Sequence, residues 1–229
     1  MNGRIEVMTL KMDKTALITC LDTFFGEMLA TVFAREGFRV FALGSKPIEN
    51  VTLLPLDPYE SATALKEKVG KLDFLLDITD VHSPKDTFTV RDGIDGTVVE
   101  QVYRQNVLAS MALLEAFLPL LDQGEGKRLF FLTSAEASIN ETRRIDHFAY
   151  NMSKAALHQF IQMTRNKLAP KGYTFRVFDP METEVSPEAA AESAYNYITR
   201  RRGTENHDPL RDDEDNLVFR DAQGRQHSW

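Results

Sequence analysis

Short apolar runs alternate along this chain with longer segments in which apolar residues recur every three or four positions. The runs fall at residues 15–19, 38–43, 51–56, 72–78, 128–134 and 173–178, and their length and flanking turn residues predict strands. The periodic segments fall at residues 26–36, 61–69, 95–121 and 149–168 and predict helices with one apolar face. Gly37 is placed to end the first helix, Ser61 to cap the second, and Ser186 to cap a further helix after the sixth strand. Strands alternating with helices predict a parallel sheet covered on both faces. The expected fold class is α/β: a doubly wound parallel sheet in a single Rossmann-type domain, residues 1–229. Residues 1–12 read as a tail or an added edge segment. Residues 203–229 read as a polar loop with a last strand at 217–219. Neither an internal repeat nor a second domain is visible in the pattern.

Composition narrows the partners more than the fold. With 229 residues, 43% of them hydrophobic, the chain can bury a sizeable core. A formal net charge of −7 argues against nucleic acid or an anionic membrane as partner. No apolar run is long enough to span a bilayer, and no basic-then-apolar leader opens the chain. The single cysteine, Cys20, excludes an internal disulfide and fits a reducing compartment, so a cytoplasmic location is expected. No metal site is expected. Arg200, Arg201 and Arg202, and the acidic stretch at 208–215 that follows, read as solvated surface.

The candidate chemistry lies in Tyr150 and Lys154. Four residues apart on a helix, they share one face. A phenol with a free pKa of about 10 exchanges protons poorly at neutral pH. A neighbouring ammonium favours the phenolate and brings it into a useful range. The spacing alone is also that of ordinary packing or solvated residues. Its context is more telling: the pair follows an apolar strand that ends in Ser134, and a long helix carrying Asn106 precedes that strand.

In this order of elements the chain resembles the short-chain dehydrogenase/reductase family over roughly residues 14–200. The resemblance implies a tetrad. Tyr150 would give a proton to a carbonyl oxygen or take it from an alcohol. Lys154 would lower the Tyr150 pKa and hold the nicotinamide ribose. Ser134 would hydrogen-bond the substrate oxygen, and Asn106 would hold a water linking Lys154 to solvent. It also implies a dinucleotide near Thr19 and Gly26, in the first strand-to-helix turn. The family's Thr-Gly-x-x-x-Gly-x-Gly stands here with Cys20 and Phe24 in place of the first two glycines and with Asp22 between them. The family's Asn-Asn-Ala-Gly stands as Asp77-Ile78-Thr79-Asp80. Ser45 and Lys46, after the second strand, suit a 2′-phosphate, so NADP(H) is favoured over NAD(H), and Asp57 matches a residue that meets adenine. Lys46 reads equally well as a surface lysine after a turn.

Two further departures bear on the substrate side. The loop from Ser134 to Tyr150 is longer than usual, which leaves Ser138 as an alternative serine and places Arg143 and Arg144 near a possible anion. After Pro180, Met181 replaces a glycine, and the segment that normally covers the substrate is nearly absent. The leading expectation is an NADP-dependent oxidoreductase acting on a small carbonyl or alcohol, as a homodimer or homotetramer paired through its two long helices. The alternatives are a nucleotide-binding or structural module without turnover, and a scaffold working through its helix faces.

Overall fold

The architecture follows from strands with no polar face. In a computed structural model, which describes residues 14–181, 184–200 and 216–229, β1 (Thr15–Ile18), β4 (Phe74–Asp77) and β5 (Arg128–Leu132) are buried at every position. Such strands need cover on both sides, and helices supply it. With β2 (Arg39–Leu43), β3 (Val51–Leu54), β6 (Thr174–Asp179), β7 (Phe219–Asp221) and β8 (Gln226–His227), the described strands form one sheet in the order β3-β2-β1-β4-β5-β6-β7-β8. Every pairing is parallel except β7 with β8. The chain winds outward from β1 to β3, then returns to β4 beside β1. That reversal opens a crevice at the carboxyl ends of β1 and β4.

One face of the sheet packs on α1 (Phe24–Arg35) and the last helix, α6 (Pro187–Thr199), around Phe33, Phe38, Phe74 and Tyr195. The other face packs on α2 (Pro58–Lys68), α4 (Ala109–Gln123) and α5 (Phe148–Leu168). The doubly wound expectation therefore holds. Of the helix-face residues Val102, Leu113, Phe117, Leu157, Phe160 and Ile161, open in the sequence to core or interface roles, all but Phe160 are buried, and Phe160 is half-buried at the outer groove between α4 and α5.

Several boundaries move for local reasons. The second helix starts at Pro58, not Ser61, because the Asp57 carboxylate accepts from the amides of Tyr59 and Glu60 and proline suits the first helical position. Ser61 lies inside that helix and donates instead to the Pro55 carbonyl. Gly37 ends α1 in the left-handed region, φ 85°, and Ser186 caps α6, both as expected. The long helix is α3 (Gly96–Tyr103), a widened π-type turn at Arg104–Leu108, and then α4. The strand expected at 217–219 lies at 219–221, and β8 follows it. The proposed tail at 1–12 and most of the loop at 203–216 lie outside the described residues. No helix among the described residues is long and apolar enough to cross a membrane.

Candidate active site

Tyr150 and Lys154 enter the crevice from the first turns of α5. Asp86, itself buried, fixes that helix start: its carboxylate accepts from the amides of Ala149 at 3.1 Å and Tyr150 at 2.8 Å. This cap places the phenol against the end of β4, where Asp80 lies. The Tyr150 hydroxyl donates to Asp80 Oδ1 at 2.8 Å, and Lys154 Nζ reaches the same oxygen at 2.8 Å. Lys154 Nζ also donates to the carbonyls of Thr79 at 2.6 Å and Leu132 at 3.2 Å, the ends of β4 and β5. Its side chain is fully buried.

Ser134, just past the end of β5, lies beside the Tyr150 phenol and acts to lower its pKa, and its hydroxyl accepts from the Glu136 amide at 3.2 Å. Asn106 sits in the widened turn, a helix irregularity that often marks functional positions. Its side chain clamps Val81, accepting from the Val81 amide at 2.8 Å and donating to its carbonyl at 2.9 Å. Its second amide proton goes to Ser153 Oγ at 2.9 Å. Three of the four residues expected from sequence, Asn106, Tyr150 and Lys154, thus bond to one segment, 79–81, and Ser134 lies beside Tyr150. Asn106 contacts that segment's backbone rather than Lys154. Ser138 is buried and accepts from the Glu141 amide, away from this cluster.

The electrostatics run against one expectation. Burial, with the Asp80 carboxylate beside it, holds the Tyr150 phenol well above its ordinary pKa. Lys154 was expected to lower it, but Asp80 bonds the ammonium and the phenol through a single oxygen. Burial opposes the Asp80 charge, yet Lys154 and then His82 overcome it and hold that carboxyl far below the usual range. His82 stacks on the Tyr150 ring, centroids 3.8 Å apart and planes 20° from parallel, while its Nε2 lies 3.3 Å from Asp80 Oδ2. On the next strand, Asp179 is raised by burial and accepts from the amides of Ala135 and Met181 at 2.7 Å.

The nucleotide end is present in outline. Thr19 braces β1 to β4: its hydroxyl donates to Asp77 Oδ1 at 3.2 Å and accepts from the Ile78 amide at 2.9 Å. A Cβ on Gly26 would lie 2.8 Å from the Cys20 carbonyl and from Ile78, so that glycine is fixed by packing. Cys20 and Met181, which replace family glycines, both keep left-handed backbone, φ 49° and 54°. Such conformations cost a side-chain-bearing residue about 1–2 kcal/mol. Phe24 starts α1 and turns outward, 72% exposed, at the rim of a cleft of about 360 Å³ that Ile78, Asp80, His82 and Pro180 also line.

Ser45 and Lys46 are exposed, yet carboxylates of the chain already engage them. Asp22 accepts from the Ser45 amide at 3.0 Å, the Ser45 hydroxyl at 2.8 Å and the Lys46 amide at 3.2 Å, while Lys46 Nζ pairs with Glu27 at 2.6 Å. Asp57 is engaged in capping α2. At both places, then, a carboxylate of the chain rests on the donors. Such donors are matched to ligand oxygens, hydroxyls at Tyr150 and Lys154 and a phosphate at Ser45 and Lys46, and in that sense they fit a dinucleotide. No cluster of His, Cys, Asp and Glu fit to hold a metal occurs among the described residues.

Sequence reasoning missed Asp80 as the centre of the cluster, His82 as the cover of the Tyr150 ring, and Asp86 as the helix cap. In the sequence Asp80 shows only as the last residue of the segment that stands for Asn-Asn-Ala-Gly. Tyr150 and Lys154 lie 70 and 74 positions from it, and no spacing rule joins them.

A family model described as short chain dehydrogenase matches residues 59–195. The chain is 27% identical over 206 residues to a Drosophila melanogaster protein named dehydrogenase/reductase SDR family protein 7-like, covering 80% of this chain and 62% of that one. It is 32% identical over 172 residues to a short-chain dehydrogenase/reductase of Pestalotiopsis microspora, covering 69% of this chain and 55% of that one. It therefore spans less than two thirds of either relative. Among solved structures, the carbonyl reductase Sniffer of D. melanogaster superposes with a TM-score of 0.79 at 15% identity, over 94% of this chain and 99% of that one. A Burkholderia multivorans protein described as a putative short-chain dehydrogenase/reductase with bound NADP gives 0.76 at 18% identity, over 94% and 99%. At these identities the structural likeness shows the fold.

Proposed function

We propose, for a chain that belongs to the short-chain dehydrogenase family, an NAD(P)(H)-dependent oxidoreductase that interconverts a small carbonyl and its alcohol. One observation carries the reading: Tyr150, Lys154 and Ser134 converge on the carboxyl ends of β4 and β5, beside a 360 Å³ cleft that could seat the reacting groups. A bound nicotinamide would supply the hydride. The chain's residues supply orientation and the proton. Ser134 holds the substrate oxygen. Tyr150, kept protonated by burial, is poised as a donor, which suits reduction of a carbonyl better than oxidation at neutral pH. Lys154, anchored on two strand-end carbonyls, fixes the ribose side of the site. Gly26 keeps the first turn close-packed, and Ser45 with Lys46 favours NADP(H) once Asp22 and Glu27 release them.

The proposed pairing surface is the outer groove between α4 and α5, about 610 Å³, which exposes Met111, Tyr103 and Met163. It fits the homodimer or homotetramer reading. A second reading, a fold that has lost turnover, is favoured by Asp80, which sits on both donors at once.

A titration with NADPH, and with NADH as control, followed by protein fluorescence and thermal shift, tests the proposal. Micromolar binding, and reduction of a carbonyl that Tyr150→Phe abolishes while binding remains, is the expected result. No binding of either dinucleotide at millimolar concentration defeats it.

A further inference from the structure

Asp80 makes three polar contacts that together satisfy its carboxylate: Tyr150 and Lys154 on Oδ1, and His82 on Oδ2. Its backbone neighbours are pinned on both sides. Thr79 bonds to Asp77 through its amide at 3.1 Å and its hydroxyl at 2.6 Å, and its carbonyl takes Lys154. Val81 is clamped through its amide and carbonyl by Asn106. The segment therefore cannot swing away as a loop. Only rotation of the Asp80 side chain, toward the cleft it already lines, can free the donors. Lys154 tolerates that rotation, because it keeps the carbonyls of Thr79 and Leu132.

We propose that Asp80 is a positioning residue that competes with ligand oxygens for Tyr150 and Lys154, so that dinucleotide binding and proton transfer at Tyr150 both require its displacement. The competition rests on the dinucleotide reading above; the hold on Tyr150 does not. Three consequences separate this role from a structural one. The phenol of the resting protein stays un-ionised well past the pH at which a free tyrosine titrates. Removing the Asp80 charge lowers the ionisation pH of that one phenol, because an unopposed ammonium then lies beside it. Removing it also tightens hydroxyl-bearing ligands, since they no longer displace a charged competitor.

The test compares the wild type, Asp80→Asn and Asp80→Ala, each against its own Tyr150→Phe counterpart as spectral blank. Ultraviolet difference absorbance across a pH series reads Tyr150 ionisation alone, and a parallel titration reads NADPH affinity. Expected are a wild-type Tyr150 that does not ionise below the free-tyrosine value of about 10, an ionisation pH about one unit lower or more in both variants, and NADPH bound at least tenfold tighter. A wild-type Tyr150 that ionises at or below that value overturns the proposal without requiring either variant to fold. So does an ionisation pH that the substitutions leave unchanged, or an NADPH affinity that is measurable in the wild type and equal or weaker in the variants. If no protein of the set binds a dinucleotide, the proposed function falls, and the phenol titration alone upholds or overturns the hold of Asp80 on Tyr150.

Discussion

The Tyr150 and Ser45 regions share one device in opposite surroundings. At the Tyr150 end, Asp80 binds a hydroxyl and an ammonium inside the protein, with Lys154 fully buried. At the Ser45 end, Asp22 binds a hydroxyl and two amides at the surface, and Lys46, 59% exposed, pairs with Glu27. Water makes the difference. An exposed pair is screened and contributes little. A buried pair is costly to form, but breaking it by removing one partner leaves a charge uncompensated, which costs about 3–5 kcal/mol. The same carboxylate-on-donor contact is thus a loose cover at the nucleotide edge and a firm constraint at the catalytic end.

The largest expected effect breaks the comparison at its buried end. Lys154→Met leaves Asp80 facing the phenol without its cation, and should lower stability by about 3–5 kcal/mol in urea unfolding. A loss under about 1 kcal/mol would mean that the buried pair behaves like a surface one. Next comes Asp86→Ala, which removes a buried cap from α5 without touching the charge pair. About 1–2 kcal/mol should be lost, seen as a lower midpoint with an unchanged denaturant slope.

A third cluster, intermediate in burial, sharpens the contrast through pH. His227 lies 2.9 Å from both Asp221 Oδ2 and Glu141 Oε2, and joins the C-terminal hairpin to the loop before α5. Burial opposes the His227 charge, but Glu141 and Asp221 prevail and raise its pKa, while the Ser228 amide and then His227 pull Glu141 down to about 2. The histidine contribution is complete below the unfolded value of about 6.5 and fades as pH rises through the raised folded value. The Glu141 contribution is complete above the unfolded value of about 4.3 and fades as pH falls toward about 2. His227→Gln should therefore lower the melting temperature most between about pH 4.5 and 6.5 and least at pH 9. A difference that grows toward high pH would contradict this arrangement.

The smallest effect belongs to the exposed end. Lys46→Ala should leave the melting temperature unchanged in ordinary buffer, measured by calorimetry, because Glu27 regains its water. A clear drop would show that this edge is less screened than its exposure implies.

Much of this molecule could be read in advance, for definable reasons. Strands buried throughout show as unbroken apolar runs, and Ser186 stands before a proline that starts a helix. The Tyr150–Lys154 spacing is a local fact of helix geometry. Boundaries slipped where a cap competed with its neighbour, as Asp57 did with Ser61. The widened turn carrying Asn106 left no signal, because its residues are ordinary helix formers in an unbroken apolar period.

By itself the sequence determined the α/β alternation, the parallel sheet covered on both faces, and the helix that presents Tyr150 and Lys154 together. These depend on residues a few positions apart, where chain geometry alone sets who meets whom. Only the tertiary structure decided that Asp80 would lie between phenol and ammonium, that Asp22 would cover Ser45 and Lys46, and that Phe24 would turn outward. Those contacts join residues from different strand ends. Which carboxylate reaches which donor depends on the order in which the strands pack, and the sign of the Tyr150 pKa shift follows from that meeting rather than from its neighbour four residues on.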